Sequence, residues 1–197
     1  MGRVIYLTGA PAAGKSTLCE GLLQRAANLL VFSYSSLLRD HVRQRDGADL
    51  GASEIREQSA RVITREDVMA VDTQLVDEVN SKRADYDILI DSHPVTKESY
   101  GFRVTPFNVE QLKAFAPDAL VCLYASPDVL HKRISRDPDG RPLPSLFELE
   151  LHVQVQVAVT TQYSIEVGRS CHLIDSGVDP VALVDTVWPI LRFVPKA

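Results

Sequence analysis

The feature that most constrains this chain is a glycine-rich loop near its beginning. Residues 9–16 read Gly-Ala-Pro-Ala-Ala-Gly-Lys-Ser and fit the pattern G-x-x-x-x-G-K-[ST] without a mismatch. The apolar run at residues 4–7 has strand character, and residues 15–27 carry a helical pattern. A strand, this loop and a helix in that order predict a phosphate site, because the N–H groups of the loop and of the helix start converge on one anion.

The residue types in the loop suggest separate tasks. Glycine allows the backbone to approach a phosphate closely, Lys15 would reach the β- and γ-phosphates, and Ser16 would offer its hydroxyl to Mg²⁺. A surface turn that happens to contain Gly and Lys is the alternative, but it would not require a strand before it and a helix after it. The predicted nucleotide-binding residues are Gly9, Ala10, Pro11, Ala12, Ala13, Gly14, Lys15, Ser16 and Thr17.

Short apolar runs alternate with longer amphipathic segments along the rest of the chain. Near-continuous Val, Ile and Leu runs are typical of parallel strands that helices cover on both faces, so the pattern predicts an α/β fold with a five-stranded parallel sheet. The predicted strands are residues 4–7, 29–33, 86–90, 119–125 and 171–174. The predicted helices are residues 15–27, 35–43, 109–115, 127–135 and 180–192, with two further helices and a bend over residues 55–80.

Two predictions concern the second half of the chain. The last helix would have Asp179 as its N-cap, and Pro189 would kink or end it. At residues 149–159 every odd position is apolar, a period-two pattern that locally indicates a strand. No Gly or Pro interrupts residues 145–167, so a long helix is the alternative. The valines of this segment are interpreted as core, with an oligomer surface as the other reading.

Composition limits the class of protein. The length of 197 residues fits one domain, and 21 Lys and Arg against 26 Asp and Glu give a net charge of −5. This balance argues against a large nucleic-acid footprint, and no apolar run is long enough for a signal peptide or a bilayer span. The three cysteines, Cys19, Cys122 and Cys171, lack metal-ligand spacing. We therefore expect a cytoplasmic protein with reduced thiols and no membrane or nucleic-acid partner.

An acidic residue at the end of a second strand is the other element that such a phosphate site needs. Asp91 closes the apolar run of the third predicted strand, where its carboxylate would hold Mg²⁺ through water. A cap of a turn or helix is the alternative role for such an aspartate. His93 follows two residues later, and from the residues alone a structural hydrogen bond is its simpler reading.

The order of these pieces resembles that of nucleoside monophosphate kinases, most of all archaeal-type adenylate kinases and their adenylate-kinase-like relatives. The residues that carry the resemblance are the loop at 9–16, Ser35-Ser36-Leu37-Leu38-Arg39, Asp91-Ser92-His93, and a broken loop with Arg133, Arg136 and Arg141. It covers nearly the whole chain and implies a single P-loop NTPase domain, a three-layer sandwich. An acceptor-binding helical insert would span about residues 34–83 and a short lid about residues 133–146. The resemblance includes residues 150–174, a stretch that is helical in the archaeal-type enzymes, so helix is our prediction for the segment with the period-two pattern.

The resemblance also implies an activity and roles for residues. The reaction would be reversible phosphoryl transfer from ATP to AMP with Mg²⁺. Arg39 would grip the acceptor's phosphate, and Ser35 and Ser36 would lie near its nucleoside. Arg133 would lie against the adenine of ATP. Neutralisation of the transferring phosphoryl group would fall to the lid arginines Arg136 and Arg141, while His93 would order a water near Mg²⁺.

The chain also departs from the pattern of these kinases. Pro94-Val95-Thr96 stands where related kinases often carry an arginine, and Gln156-Val157 replaces Asn-Arg. Either Arg103 substitutes for the missing arginine as an acceptor-binding residue, or the acceptor is not AMP. Two alternatives therefore stay open. One is a kinase of a hydroxyl-bearing small molecule, with Asp40 or Asp91 as the base, and the other is an ATPase or nucleotide switch.

Overall fold

The computed structural model describes residues 1–46, 63–136 and 142–196. Within these ranges the elements follow the order that the apolar runs predict, with one additional pair of strands after β3. The strands are β1 Val4–Gly9, β2 Leu29–Ser33, β3 Asp87–Asp91, β4 Val95–Glu98, β5 Gly101–Val104, β6 Ala119–Tyr124 and β7 Cys171–Asp175. The helices are α1 Lys15–Arg25, α2 Tyr34–Asp46, α3 Arg65–Lys82, α4 Val109–Ala114, α5 Pro127–Ile134, α6 Leu146–Val167 and α7 Pro180–Leu191.

Five of the strands form one parallel sheet in the order β2-β3-β1-β6-β7. At the carboxyl edge of this sheet, Leu7 of β1 and Ser33 of β2 are both register partners of Asp91. Gly9, the first residue of the loop, is paired with Leu123 of β6. The end of β3 therefore lies between the start of the glycine loop and the start of α2. The predicted α/β fold with a five-stranded parallel sheet is confirmed.

Alternate residues of β1 face two separate apolar cores. Ile5 and Leu7 pack in a core with residues of α1, α5 and α7. Val4 and Tyr6 pack on the opposite face with residues of α3, α4 and the end of α6. The strand alternation thus sends successive side chains to opposite helical layers, and the result is the predicted three-layer sandwich.

Helix α6 spans the segment whose sequence pattern was ambiguous, and the helix prediction is confirmed. Ser145 and Glu148 close its first turn in a reciprocal capping box. The buried positions of the helix follow a spacing of three and four residues, and several of them are polar. They are Leu149, His152, Gln156, Thr160 and Tyr163. The odd-numbered valines flank this buried stripe and are only half-buried, so the period-two pattern did not mark the buried face.

A short antiparallel hairpin is the element that the apolar pattern did not predict. Strands β4 and β5 pair from Val95↔Val104 to Glu98↔Gly101, and residues 99–100 form the turn. Each strand has four residues, and those of β4 are mostly polar. Arg103, the possible substitute for the missing arginine, lies on β5. The hairpin follows β3 directly, and β4 contacts α6.

Two helix predictions need further comment. Helix α7 has Asp179 as its N-cap, as predicted, but it continues through Pro189 to Leu191, so the proline does not end it. Of the two helices predicted over residues 55–80, the structure contains α3, which begins after the N-cap Thr64. Residues 55–62 lie outside the described ranges. In the described part of the chain, no helix is both long and apolar enough to span a membrane.

Candidate active site

The glycine loop has a backbone that excludes larger side chains at its first residue. A Cβ on Gly9 would lie 2.6 Å from the carbonyl oxygen of Leu123, so only glycine fits between β1 and β6 here. Gly14 has φ of +85° and Ala12 has φ of +60°, both in the left-handed region. Gly14 is also the N-cap of α1, and no side chain caps that helix. The loop therefore presents backbone N–H groups at a helix start, which is the arrangement that binds phosphate.

Lys15 lies between the loop and the end of β3. Its Nζ donates to the carbonyl oxygen of Gly9 at 3.3 Å and lies 4.0 Å from Oδ1 of Asp91. Burial raises the pKa of the Asp91 carboxyl, and the nearby charge of Lys15 partly opposes that rise. Oδ1 of Asp91 is buried and has no hydrogen-bond partner among the described residues. A buried carboxylate oxygen of this kind is a suitable ligand, directly or through water, for a cation.

Ser16 and Thr17 follow Lys15 at the exposed start of α1. The Ser16 hydroxyl and the Asp91 carboxylate supply oxygen atoms, which Mg²⁺ prefers, and Mg²⁺ usually keeps several waters and binds substrate phosphates as well. The residues present therefore fit a magnesium ion that a bound nucleotide brings with it.

Arg133 from α5 joins the loop to the far end of the sheet. Its guanidinium donates to the carbonyl oxygen of Ala12 at 3.2 Å and to that of Ser176 at 2.7 Å. It also lies near the loop glycine, because a Cβ on Gly14 would be 3.8 Å from its Nη1. The planar guanidinium is thus fixed beside the loop, and its contact with the adenine of ATP stays a prediction.

A second polar cluster lies where β2 meets α2. The Ser36 hydroxyl donates to Ser33 Oγ at 3.2 Å, and Arg39 Nη2 donates to Ser36 Oγ at 3.2 Å. Ser33 and Ser35 share a further hydroxyl contact at 3.2 Å. We call these four residues the serine–arginine cluster. The structure therefore brings the predicted acceptor residues Ser35, Ser36 and Arg39 together, and it adds Ser33, which the sequence did not single out.

The buried carboxyl of Asp72 holds the tyrosine that lies next to this cluster in the chain. The Tyr34 hydroxyl donates to Asp72 Oδ1 of α3 at 2.7 Å, and the Tyr34 ring packs edge-on against Phe107 at 5.0 Å. Asp72 is only 2% exposed, and burial raises the pKa of its carboxyl to about 6, although the hydrogen bond from Tyr34 lowers it somewhat. This pair ties the first residue of α2 to α3. It was not predicted, since neither residue belongs to a recognisable motif.

Helix α6 contributes two buried polar residues that the sequence interpretation left without a role. Gln156 is fully buried, and its Nε2 donates to Thr8 Oγ1 at 2.8 Å, one residue before the loop. His152 Nε2 lies 3.2 Å from the carbonyl oxygen of Val95. Because that carbonyl can only accept, Nε2 carries a proton. Their spacing of four residues on one helix face was the signal that could have identified them.

The remaining predicted residues lie elsewhere or outside the described ranges. Arg136 is exposed just after α5, and Arg141 is outside the described residues, as are residues 137–140 of the predicted lid. His93 is half-buried directly after β3. Arg103 forms an ion pair with the buried Glu98 across the hairpin, with its Nε 3.2 Å from Oε1. Its contact with an acceptor stays a prediction.

Comparison with known proteins agrees with this geometry. A family model described as an AAA domain matches residues 8–149, which is more than half of the chain. An adenylate kinase from Methanothermobacter thermautotrophicus is 24% identical over 173 residues, covering 87% of this chain and 89% of that protein. One from Pyrobaculum aerophilum is 24% identical over 153 residues, covering 76% and 73% respectively.

Solved structures with a similar fold are more distant in sequence. A tunicamycin resistance protein from Deinococcus radiodurans superposes with a TM-score of 0.64 at 14% identity, over 100% of this chain and 99% of that one. A sugar kinase from Janibacter sp. HTCC2649 gives 0.59 at 16%, over 98% and 96%. For a shikimate kinase from Bacteroides thetaiotaomicron the values are 0.56 at 15%, over 97% and 99%.

At these identities the solved structures support the fold alone, and the adenylate kinases are similar proteins at low identity. The family model, the complete glycine loop and the sheet order agree with one another. The chain therefore belongs to the AAA domain family, as a nucleotide-binding P-loop kinase of the adenylate-kinase-like kind.

Proposed function

We propose that this P-loop kinase transfers the γ-phosphoryl group of ATP to a nucleoside monophosphate, and that AMP is the acceptor. The observation that carries the proposal is the position of the serine–arginine cluster. It lies at the same edge of the sheet as the phosphate loop, with only β3 between their strands. Neighbouring strands are roughly 5 Å apart, so β1 and β2 are separated by about 10 Å. That spacing suits two phosphorylated ligands that face each other across Asp91.

The chemistry of the cluster favours an acceptor that already carries a negative charge. Three hydroxyls and the Arg39 guanidinium can donate hydrogen bonds to a phosphate, and Asp40 on the same helix is exposed. A monophosphate needs no general base because its oxygens are ionised at neutral pH. Catalysis then consists of holding the two phosphates in line and neutralising charge.

Each predicted site residue then has a task in that transfer. The loop amides and Lys15 would bind the β- and γ-phosphates, and Arg133 would lie beside the nucleotide where it contacts Ala12 and Ser176. Ser16 and, through water, Asp91 would hold Mg²⁺, which supplies charge neutralisation at the phosphates. Arg39 would orient the acceptor phosphate. Arg136 and Arg141, the latter outside the described residues, would neutralise the transferring phosphoryl group, His93 would order a water near Mg²⁺, and Arg103 would help to bind the acceptor.

A second candidate has one observation in its favour. Asp91 is the register partner of Ser33, so a carboxylate does stand beside the serine–arginine cluster. If Asp91 faced the acceptor rather than Mg²⁺, it could take a proton from an alcohol. The chain would then be a kinase of a hydroxyl-bearing small molecule. The sugar kinase and shikimate kinase of similar fold are named for acceptors of that class.

A coupled assay across acceptors separates the candidates. ATP and Mg²⁺ would be supplied with AMP, CMP, UMP or GMP, and in parallel with shikimate and a set of sugars, while ADP formation is followed. We expect fast ADP formation with AMP and only background with the alcohols. ADP formation with an alcohol alone would establish the second candidate. Steady ATP hydrolysis that no acceptor accelerates would contradict both and indicate an ATPase or switch.

A further inference from the structure

The hairpin that follows β3 places a second lysine beside the phosphate loop. Lys97 on β4 has its Nζ 3.1 Å from Glu148 Oε1 on α6, and it donates to the carbonyl oxygen of Glu98 at 2.9 Å. Its side chain is 32% exposed, so Lys97 is only partly buried. Arg103 on the paired strand differs, because its partner Glu98 has a side chain only 5% exposed. Of these two hairpin cations, Lys97 has the more exposed counter-ion.

A small cavity joins Lys97 directly to the loop. Its volume is about 30 Å³, close to that of one water molecule. The residues that line it include Pro11 of the loop, Lys97, Glu148 and His152. The hairpin and the loop are therefore walls of one cavity, which both Lys97 and Pro11 line.

The charges of two lysines affect the pKa of His152, one of the residues that line this cavity. Burial is the main reason that the pKa of its imidazole falls to about 4; the hydrogen bond with the Val95 carbonyl opposes this fall, and the charges of Lys15 and Lys97 contribute smaller decreases. Both ammonium groups thus lie close enough to the same buried ring to affect its protonation. Lys15 belongs to the loop and begins α1, whereas Lys97 comes from β4, so two lysines from different elements lie at the phosphate loop.

Within the described residues, Glu148 is the acidic partner of Lys97, whose Nζ also lies 5.7 Å from the centroid of the Phe102 ring. Glu148 has further contacts of its own. Its Oε2 accepts from the backbone N and the hydroxyl of Ser145 at 2.8 and 2.9 Å in the capping box. Its Oε1 contacts Lys97. A partly exposed ion pair contributes little to stability, roughly 0 to 1 kcal/mol. Lys97 can therefore leave the Glu148 carboxylate and bind a more highly charged polyphosphate with little loss of stability.

We infer that Lys97 is a second phosphate-binding lysine for the nucleotide in the loop, and that Glu148 is the counter-ion that holds it when no nucleotide is bound. The inference rests on the proposed binding of ATP at the loop, but it does not depend on which acceptor is used. It also gives a cation to the region after β3, where Pro94-Val95-Thr96 contains none.

A double-mutant cycle read out by calorimetric titration with ATP tests this assignment. K97M should weaken ATP binding about tenfold, since it removes one charge-assisted contact to phosphate. E148Q should tighten binding about threefold, because Lys97 loses its competing carboxylate while Gln at this position preserves the capping box. K97R should restore most of the affinity. In the double variant, the gain from E148Q should largely disappear.

The two single variants distinguish this role from a purely structural ion pair. If Lys97 and Glu148 served only to tie the hairpin to α6, both variants would lower the melting temperature and would shift ATP affinity in the same direction. Equal affinities for wild type, K97M and E148Q would likewise overturn the inference. K113M, on the exposed face of α4, is the matched control and should bind ATP as wild type does.

Failure of the proposed function gives a different result. If AMP is not the acceptor, the ATP titrations still report opposite effects for K97M and E148Q. If the loop itself does not bind ATP, wild type shows no heat of binding at all. If K97M does not fold, the ATP affinities of E148Q and K97R still test the inference.

Discussion

The donor and acceptor sides of the candidate site are held in place by different parts of the chain. On the donor side the backbone sets the geometry, because Gly9 fits against Leu123 only without a Cβ and Arg133 bonds to two main-chain carbonyl oxygens. On the acceptor side, Ser36 and Arg39 are held by contacts between side chains at 3.2 Å. Hydroxyl and guanidinium groups of this kind can reorient around a ligand, whereas the loop cannot.

Substitutions on the two sides should therefore have two different kinds of effect on activity. A change on the donor side removes an interaction that any phosphoryl transfer from ATP requires, whatever the acceptor. A change in the serine–arginine cluster affects one substrate and leaves the other bound as before.

The largest effect is expected for Lys15→Ala. Its ammonium group is placed by Gly9 and Asp91 so that it can neutralise charge on the β- and γ-phosphates. Loss of such a group costs about 10²- to 10³-fold in turnover. Steady-state turnover with saturating ATP is the measurement, and Lys113→Ala is the control on an exposed surface. A Lys15→Ala variant that kept more than about a tenth of wild-type turnover would contradict the role assigned to Lys15 on the donor side.

A smaller and more selective effect is expected for Arg39→Ala. A charge-assisted hydrogen bond is worth about 1.5–3 kcal/mol, so the KM for the acceptor should rise about 10- to 100-fold while the KM for ATP stays within about twofold. Arg39→Lys should recover only part of the loss, since it cannot form a forked contact.

The control for Arg39 is Arg169→Ala. Arg169 is exposed just before β7, at the opposite edge of the sheet from the phosphate loop. Neither KM should change in this variant. If Arg39→Ala raised the KM of ATP and of the acceptor equally, the two sides would not be separable and Arg39 would not be specific for the acceptor.

The smallest effect concerns stability on the acceptor side. The Asp72 carboxyl has a pKa of about 6 in the folded protein, against 3.8 as its ordinary value. Between these two pKa values the folded state therefore binds more protons than the unfolded state. The free energy of unfolding falls as the pH rises from about 4 to 6. Asp72→Asn keeps an acceptor for Tyr34 and removes this cost, so we expect it to stabilise the fold by about 1–2 kcal/mol at pH 7.5.

Chemical denaturation at pH 7.5 and pH 4 measures this effect. The stabilisation by Asp72→Asn should largely vanish at pH 4, where the wild-type carboxyl is protonated in the folded state. Asp77→Asn changes an exposed carboxyl on the same helix and should show no such difference. A stabilisation that is the same at both pH values would mean that the charge of Asp72 is not its source.

The sequence predicted well what depends on strong local patterns. The loop at residues 9–16, the five apolar strands and the strand-end Asp91 each follow from residue type and order, and the structure brings them to one edge. The same patterns did not predict the hairpin, because its two four-residue strands are short and Ser99-Tyr100 is not a typical turn pair.

Other parts of the site depend on contacts between distant residues. Tyr34 and Asp72 are 38 positions apart, and Gln156 and Thr8 are 148 apart, so no spacing in the sequence indicates that they meet. Helix α6 was difficult for a related reason. Its buried stripe includes the polar residues His152, Gln156 and Thr160, so apolar periodicity could not identify it.

The central claim is that two phosphorylated nucleotides bind at one sheet edge, on either side of Asp91. Calorimetric titration with a dinucleoside pentaphosphate, two adenosines joined by five phosphates, tests this claim most directly, since one molecule would fill both sides. The account predicts one tight site per chain, tighter than that for ATP, weakened by either Lys15→Ala or Arg39→Ala, and displaced by both ATP and AMP. Binding no tighter than that of ATP, unaffected by Arg39→Ala and by AMP, would contradict it.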